Sequence, residues 1–408
     1  MSASLPRTLI LGGGIAGLEA LLALTDLAAE RTELTLVAPD PDFLLKPMAV
    51  EEPFTSQPAM QRELAPIAED LGAQLVRGAV AAVAPDERVV ELADGTSLDY
   101  DYLVVCVGGR TRSIYEGATT LQAVGERMAI DGLIAEAAEH SSHRLTLIVP
   151  PGVSWALPLY EVALMSRRRA DELGHRELEI SLYTPELSPL VIFGQVPVDE
   201  VSELLRVRKI DFHGNAYVRE DRPGEFFETP VHAQVTGGAV IALPVIDGPM
   251  LPGLPHDDGG FIPIDTHARV RGVDRVYAAG DGTNFPIKQG GLATQQADAA
   301  AEHIAAELGA DVEATPFHPV LRGKLIIGGE SLNLSHDLTG GHGDGFASPD
   351  YLWWPPHKVS GRYLAAWLAH EPVGSERGPP STPLDIEVAL PHEWYENPMA
   401  LDPYGPPP

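Results

Sequence analysis

The chain has 408 residues, which is enough for about two to three domains, and its hydrophobic content of 44% is ordinary for a globular protein. A formal charge of −30 argues against nucleic acid and anionic lipid as partners, because both would be repelled by such a surface. No apolar run reaches the ~18 residues that span a bilayer, and we find no signal peptide, so we expect a cytoplasmic protein without a transmembrane segment.

The first predicted element is a strand that runs into a glycine-rich turn and then a helix. Residues 8–11 are apolar, the turn reads Gly-Gly-Gly-Ile-Ala-Gly over Gly12–Gly17, and a helix-forming run follows to Glu30. This is the G-x-G-x-x-G dinucleotide-binding pattern in its required setting. Gly12 permits the tight turn, Gly14 lets the backbone approach a pyrophosphate, and Gly17 lets helix and strand pack closely. The helix N-terminus adds N–H groups and a partial positive charge for the phosphates.

The second strand, predicted over residues 33–38, departs from this pattern. It ends on Ala38, where the acid that binds a ribose usually stands. Asp40 or Asp42 in the following loop could replace it. A helix is predicted next, over Ala59–Leu71.

A later apolar strand carries the only cysteine of the chain. This strand covers residues 99–107, contains Cys106 and runs into Gly108 and Gly109. A single cysteine excludes an internal disulfide, a thiol pair and a cysteine-ligated cluster within one chain. We interpret Cys106 as an inert buried thiol.

A second α/β unit begins near Gly125. Its strand at residues 145–149 should be followed by a second dinucleotide pattern, but Pro150-Pro151-Gly152 stands there instead. Proline has no N–H group, so these residues cannot make the same phosphate cradle. The nucleotide-binding fold is expected to be retained here while the nicotinamide site is degraded.

The chain then returns to the first unit. An apolar strand ends in Gly280-Asp281, and a helix opens after Gly291. The carboxylate of Asp281 can accept a hydrogen bond from a ribose or ribityl hydroxyl. The N-terminus of the helix can direct its partial positive charge at a reduced cofactor ring.

Taken together, Gly12–Gly17, Leu103–Gly109 and Ala279–Asp281 resemble the pyridine nucleotide–disulfide oxidoreductase superfamily. The spacing and residues 288–296 are most similar to its branch of type II NADH dehydrogenases, sulfide:quinone oxidoreductases and flavocytochrome c sulfide dehydrogenases. The resemblance implies an α/β fold with two Rossmann-like domains of the FAD/NAD(P)-binding type, the second inserted in the first, plus a C-terminal interface segment. The expected bounds are 1–112 and 262–318 for the FAD domain, 113–261 for the inserted domain, 319–370 for the interface segment and 371–408 for a proline-rich acidic tail.

The resemblance also implies non-covalent FAD as the cofactor. Lys46 stands where relatives often carry a basic residue near the FAD phosphates, although a surface lysine is the alternative. The residues expected to bind FAD are Gly12, Gly14, Ile15, Ala16, Gly17, Asp40, Lys46, Gly108, Gly280, Asp281, Gly291 and Leu292.

Two departures from the family decide the expected chemistry. Trp155 stands where sulfide dehydrogenases carry a cysteine beside the flavin, and the stretch Arg322–Gly329 lacks the partner cysteine. Sulfide oxidation through a disulfide is therefore excluded. The expected catalytic residues are Glu161 and Lys288. Glu161 either exchanges protons beside the flavin, with a raised pKa, or is a solvent-facing helix residue; Lys288 is expected at the flavin edge.

In the C-terminal part, the sequence predicts no metal site, and its aromatic residues have two possible interpretations. The spacing of His336, His342 and Asp344 fits no compact ligand motif, so no metal is predicted. A helix predicted over Val359–Ala369 carries aromatics that either stack at a quinone entrance or pack in the core or a homodimer interface. The tail after Glu371 is expected to be extended.

We therefore expect an FAD-dependent oxidoreductase that passes electrons from an unidentified small-molecule reductant to an acceptor, for which a quinone is one candidate. One alternative is an NADH:quinone oxidoreductase with an atypical nicotinamide site. The other is a non-catalytic flavin-binding partner protein.

Overall fold

The computed structural model describes residues 4–28, 30–55, 59–121, 130–229, 231–235, 237–339 and 343–369. The predicted acidic tail, 371–408, and His342 lie outside these residues. Short 3-10 helices occupy Lys46–Phe54 and Val191–Phe193.

The first part of the chain contains ten strands and two helices in the described residues. They are β1 (Arg7–Leu11), α1 (Ile15–Ala28), β2 (Glu33–Ala38), β3 (Asp42–Leu44), β4 (Gln61–Glu63), α2 (Leu64–Asp70), β5 (Gln74–Arg77), β6 (Val80–Ala84), β7 (Val89–Leu92), β8 (Ser97–Asp99), β9 (Tyr102–Val105) and β10 (Arg110–Arg112).

The middle part alternates strands with helices and ends in short strands. Its elements are β11 (Thr119–Thr120), α3 (Ile130–Glu139), β12 (Arg144–Ile148), α4 (Leu157–Leu173), β13 (Glu179–Tyr183), α5 (Gln195–Val207), β14 (Ile210–His213), β15 (Tyr217–Arg222), β16 (Glu225–Thr229), β17 (Ala233–Val235), β18 (Ala239–Ala242) and β19 (Val245–Asp247).

The last part returns to the first sheet and then adds a separate antiparallel sheet. Its elements are β20 (Val276–Ala278), α6 (Gly290–Glu307), β21 (Val320–Ile326), β22 (Ser331–Asp337), β23 (Phe346–Ser348) and α7 (Leu364–Leu368).

Two parallel five-stranded sheets form the framework. The first has the order β20-β9-β1-β2-β5, and the second has the order β11-β18-β12-β13-β14. β1 lies at the centre of the first sheet, where Leu9 pairs with Thr35 of β2 and with Leu103 of β9. β1 and β9 are nearly continuous buried apolar runs, as expected for strands covered on both faces. The second sheet lies between β9 and β20 in the chain, so the prediction of two Rossmann-like units in an α/β fold is confirmed.

The two larger hydrophobic cores follow the two sheets, and α6 contributes to both. Ala297 and Ile304 pack with β1 and α1 in the first core, whereas Leu292 and Ala299 pack in the second. Leu321 of β21 also belongs to the second core. α6 therefore links the two sheets and the C-terminal strands at one place.

Two predicted helices are shorter than the sequence pattern indicates. The helix expected over Ala59–Leu71 begins only at Leu64, because the preceding residues form β4 and pair with β3. The helix expected over Val359–Ala369 is limited to α7.

The start of α7 is set by a distant side chain. The carboxylate of Glu19 accepts hydrogen bonds from the backbone N–H groups of Tyr363 (2.8 Å) and Leu364 (2.7 Å). A Cβ atom on Gly361 would lie 2.4 Å from Glu19 Oε2, so the chain needs a glycine to approach this carboxylate.

Candidate functional site

A cavity of about 930 Å³ lies where the two sheets and the C-terminal segment meet. Its wall includes the turn between β1 and α1, the loop after β2, the glycines after β9, the loop between β20 and α6, strand β21 and residues 358–359. The carboxyl ends of parallel strands are the usual place for ligands in open α/β sheets. The volume is in the upper part of the range of about 300–1,000 Å³ for small-molecule sites.

The glycine turn after β1 is built for close approach. Gly12 has a φ of +113°, and a Cβ atom on it would lie 2.3 Å from the carbonyl oxygen of Cys106. A Cβ atom on Gly17 would lie 1.8 Å from the carbonyl oxygen of Gly12. By contrast, a Cβ atom on Gly14 would meet no atom within 4 Å, and Gly14 lines the cavity. Gly12 and Gly17 thus hold the turn together, while Gly14 leaves space for a ligand.

The cavity brings together most of the residues that the sequence indicated. Ten of them line its wall: Gly12, Gly14, Ile15, Ala16, Asp40, Lys46, Gly108, Gly280, Asp281 and Lys288. The other four lie behind the wall: Gly17, Gly291, Leu292 and Glu161.

Asp281 presents a carboxylate that is free to bind a hydroxyl group. Burial raises its pKa, and the positive charges of Lys288 and Lys46 oppose this effect. Among the described residues, we find none that donates a hydrogen bond to this carboxylate. Its site on the cavity wall therefore fits the sugar-like chain of a dinucleotide cofactor.

Lys288 is held within its own loop. Its Nζ donates to the carbonyl oxygens of Thr283 (2.6 Å) and Phe285 (2.8 Å) and lies 3.8 Å from the ring centre of Phe261. Burial lowers its pKa to about 8, although the charges of Asp281 and Asp257 favour the protonated form. The ammonium is thus fixed beside Asp281 rather than extended across the cavity.

The N-terminus of α6 is joined to β21 by one side chain. Gln289 Oε1 accepts from the N–H of Leu292 (2.8 Å), and Gln289 Nε2 donates to the carbonyl oxygen of Arg322 (3.0 Å). The helix begins at Gly290, where a Cβ atom would lie 3.2 Å from Ile15 Cδ1 of α1. Two helix N-termini therefore lie side by side at the cavity.

Glu161 is buried and not solvent-facing. It lies on α4, where its Oε2 accepts from Lys358 Nζ (2.6 Å) and its Oε1 accepts from the N–H of Ile326 (2.9 Å). Burial raises the pKa of Glu161, and the charge of Lys358 opposes the shift. Because Lys358 lines the cavity and Glu161 does not, Lys358 is the member of the pair that faces a ligand.

Prolines follow the central strand of the second sheet, where a second glycine-rich turn would otherwise be expected. Pro150 and Pro151 stand one residue after the end of β12. Trp155 lines the cavity and packs on Phe193 with ring centres 5.7 Å apart. Glu186, just beyond β13, lies where a ribose-binding acid would be expected. Its Oε2 instead accepts from the hydroxyl groups of Tyr160 (2.6 Å) and Thr184 (3.1 Å).

Glu186 is fully buried, and this burial raises its pKa to about 7, with the two hydroxyl donors acting in the opposite direction. The Glu186 carboxylate is therefore turned into the protein, where Tyr160 and Thr184 bind it.

Sequence reasoning missed four cationic residues of the cavity wall: Arg110, Arg322, Lys324 and Lys358. A signal for the lysines did exist, since the chain has only five lysines. What the sequence lacked was any sign that they meet.

Two further sequence expectations concern metals and membranes. His336 Nδ1 hydrogen-bonds the carbonyl oxygen of Ile192 (2.7 Å), and in the described part of the chain no group of three or more His, Cys, Asp or Glu residues gathers as metal ligands would. Within the same residues, none of the helices has the length and apolar character needed to cross a membrane.

Comparison with known proteins agrees with this architecture. Residues 4–141 match the family model of the pyridine nucleotide-disulphide oxidoreductases. The chain is similar to the sulfide:quinone oxidoreductase from the hyperthermophilic bacterium Aquifex aeolicus, with a TM-score of 0.75 and 18% identity over 84% of this chain and 86% of that one.

Two other solved structures share the fold. A ferredoxin reductase from Rhodopseudomonas palustris has a TM-score of 0.59 and 18% identity over 82% of this chain and 83% of that one. NDH2 from Plasmodium falciparum has a TM-score of 0.55 and 15% identity over 69% of this chain and 64% of that one. Residues 4–141 thus match the pyridine nucleotide-disulphide oxidoreductase family, and the chain as a whole shares its fold with these solved structures.

Proposed function

We propose that the protein is an FAD-dependent oxidoreductase that takes electrons from a small-molecule reductant and passes them to an acceptor without a redox disulfide. A quinone is the first acceptor to test, because the similar protein from Aquifex aeolicus is named as a sulfide:quinone oxidoreductase. FAD, when bound, would accept two electrons and release them singly or in pairs. The proposal divides the chain into an FAD domain (1–112 and 262–318), an inserted domain (113–261), an interface segment (319–370) and a tail (371–408).

The observation that carries this proposal is the convergence of the glycine turn, Asp281 and two helix N-termini on one cavity of about 930 Å³. The open space at Gly14 and the N-terminus of α1 suit a pyrophosphate. The carboxylate of Asp281 suits a ribityl hydroxyl, and Lys46 adds a positive charge close enough to act on Asp281. These residues fit FAD on their own chemistry.

In the proposed mechanism Glu161 and Lys358 hold the proton that accompanies electron transfer. Lys358 lines the cavity, and its ammonium would donate a proton to a bound acceptor. Glu161, fully buried behind it, keeps the ammonium in place and balances its charge. Trp155 and Val359 would exclude water from this part of the cavity.

The alternative of an NADH:quinone oxidoreductase has less support. Pro150 and Pro151 supply no N–H groups for a second pyrophosphate, and the Glu186 carboxylate is occupied by Tyr160 and Thr184. The alternative of a non-catalytic flavin-binding partner is opposed by Lys358, a buried cation positioned at the cavity.

The proposal is tested by purification followed by anaerobic reduction. We expect a yellow protein with near-stoichiometric FAD, whose visible absorbance is bleached by its reductant and restored by a quinone. NADH, NADPH, sulfide and quinols are the reductants to compare. A protein that neither retains FAD nor binds it at micromolar concentration would overturn the proposal. If the flavin is bound but inert to every donor and acceptor, the non-catalytic alternative takes its place.

A further inference from the structure

Cations are concentrated at one place in a strongly acidic protein. The formal charge is −30, and only five of the 408 residues are lysines. Four of these five, Lys46, Lys288, Lys324 and Lys358, line the same cavity together with Arg110 and Arg322. The fifth, Lys209, is exposed after α5. Since the overall field repels anions, a local cluster of this kind is what an anionic ligand requires.

Two of these four lysines have bonded partners, and the charge of the third, Lys46, acts on the Asp281 carboxylate of the same cavity. Lys358 is paired with Glu161 at 2.6 Å. Lys288 is bonded to two backbone carbonyls, and its charge acts on Asp281, as does that of Lys46. Arg110 Nε donates to the carbonyl oxygen of Gly248 (3.1 Å), and its charge acts on Asp247.

Arg322 and Lys324 differ from Lys358 because neither forms an ion pair within the described residues. Lys324 Nζ approaches the carbonyl oxygen of Pro356 (3.3 Å) and the ring of Tyr351 (5.9 Å to its centre), neither of which carries a negative charge. We find no carboxylate paired with Arg322 or Lys324 among the described residues.

The charged neighbours of this pair are distant or already engaged. The charge of Asp337 acts on Arg322, but its carboxylate is bonded to His318 at 2.9 Å. His357 lies near Lys324, and burial together with the charge of Lys324 lowers the pKa of His357, which favours its neutral form.

The two side chains project from the same face of one strand. Burial alternates along β21: Leu321, Gly323 and Leu325 are buried, whereas Arg322 and Lys324 between them are half-buried. Alternate residues of a strand lie on one face at a spacing of about 7 Å. On the opposite face, a Cβ atom on Gly323 would lie 2.5 Å from Phe193 and 2.8 Å from Leu157, which fixes the strand against the core.

The half-buried guanidinium group of Arg322 would be stabilised by a bound anion. Arginine cannot lose its proton in a protein, so removing it from water without a partner costs free energy. A carboxylate matches the planar guanidinium in a bidentate manner, and a neighbouring lysine adds a point charge. Trp155 lines the same cavity and offers an apolar surface for the rest of such a molecule.

We propose that Arg322 and Lys324 form a binding site for the carboxylate group of a small organic acid, with the apolar body of the acid against Trp155. This inference deepens the proposed function, because the acid would be one of the two substrates that exchange electrons at the cavity. It rests on geometry and charge, and binding can be measured whether or not turnover occurs.

The test compares benzoate with benzamide, which has nearly the same shape and no charge. Each is titrated into the FAD-loaded protein by isothermal titration calorimetry at low ionic strength. We expect benzoate to bind at least tenfold more tightly than benzamide. Arg322→Gln and Lys324→Gln should each weaken benzoate binding at least tenfold and leave benzamide binding unchanged. Lys209→Gln is the matched control, since it removes the same charge far from the cavity.

Three results would overturn the inference. The first is equal binding of benzoate and benzamide, and the second is benzoate binding that is unaffected in both variants. The third is loss of bound FAD in Arg322→Gln or Lys324→Gln but not in Lys209→Gln, which would assign these cations to the cofactor phosphates. Failure of the proposed function itself would appear separately, as wild-type protein that does not bind FAD.

Discussion

The carboxylate of Glu161 lies 2.6 Å from the ammonium of Lys358, although 197 positions separate the two residues. Their side chains are 0% and 6% exposed. Because Glu161 also accepts from the N–H of Ile326, it ties α4 of the inserted unit to β21 and to the C-terminal segment. One carboxylate therefore closes the side of the cavity at which Lys358 is presented.

We predict that Glu161→Gln lowers the free energy of unfolding by about 3–5 kcal/mol, because it leaves the Lys358 ammonium buried without an anion. The measurement is urea denaturation at pH 7. Glu203→Gln is the control, since it removes an exposed carboxylate paired with Arg206 and should change stability far less. Equal losses in the two variants would contradict this account.

Gly14→Leu should abolish the retention of FAD. Gly14 has no positive φ, and the space beside it is open, so leucine is tolerated by the fold but occupies the volume intended for the pyrophosphate. The ratio of FAD to protein after purification is the readout. Gly343→Leu provides the control, because that glycine also has open space around it and lies away from the cavity wall. Normal FAD content in Gly14→Leu would show that the site has been assigned to the wrong turn.

Cys106→Ser should leave turnover unchanged, and sulfide should not reduce the flavin through a disulfide. Cys106 is the only cysteine, and its thiol is buried, which raises its pKa to about 12. A thiol that stays protonated and has no partner cannot form the disulfide that such a route needs. The measurement is the turnover of Cys106→Ser with the best electron donor, after circular dichroism has shown that the variant is folded. A large loss of turnover would contradict the prediction.

NADH and NADPH should be poor reductants, with saturation in the millimolar range. Two missing charge-assisted hydrogen bonds at Pro150 and Pro151, each worth about 1.5–3 kcal/mol, would weaken binding by about two orders of magnitude or more. Stopped-flow bleaching of the flavin under anaerobic conditions measures this. Full reduction by dithionite in the same sample shows that the flavin is competent. Rapid bleaching by micromolar NADH would favour the NADH:quinone alternative.

Glu186 should make the protein less stable as the pH rises from about 4.5 to 7. Burial raises its folded pKa from 4.5 to about 7, so across this range the folded state binds a proton that the unfolded state has released. The expected loss is about 3 kcal/mol, and Glu186→Gln should abolish it while keeping the contact with Tyr160. Glu91→Gln, an exposed change on β7, should leave the pH profile parallel to that of the wild type. The measurement is urea unfolding at a series of pH values. If the free energy of unfolding of Glu186→Gln falls with pH as steeply as that of the wild type, the assignment to Glu186 is refuted.

The sequence by itself determined the features that are local in the chain. The strand, glycine turn and helix of residues 7–28 could be predicted, because a buried parallel strand is uniformly apolar and a tight turn with positive φ needs glycine at Gly12. The absence of disulfide chemistry also follows from the sequence, since a single cysteine cannot pair within its chain.

Only the tertiary structure decided how the site is assembled. The pairing of Glu161 with Lys358, the start of α7 at Glu19 and the meeting of Lys324 with Arg322 at one cavity all join groups whose relation leaves no periodic trace in the sequence. The reason is physical: hydrophobic periodicity records which face of each element is buried, but the partner of a buried charge depends on how whole elements pack. From the sequence alone, Glu161 of α4 therefore cannot be distinguished from an ordinary helix glutamate, because its partners Ile326 and Lys358 lie on distant segments.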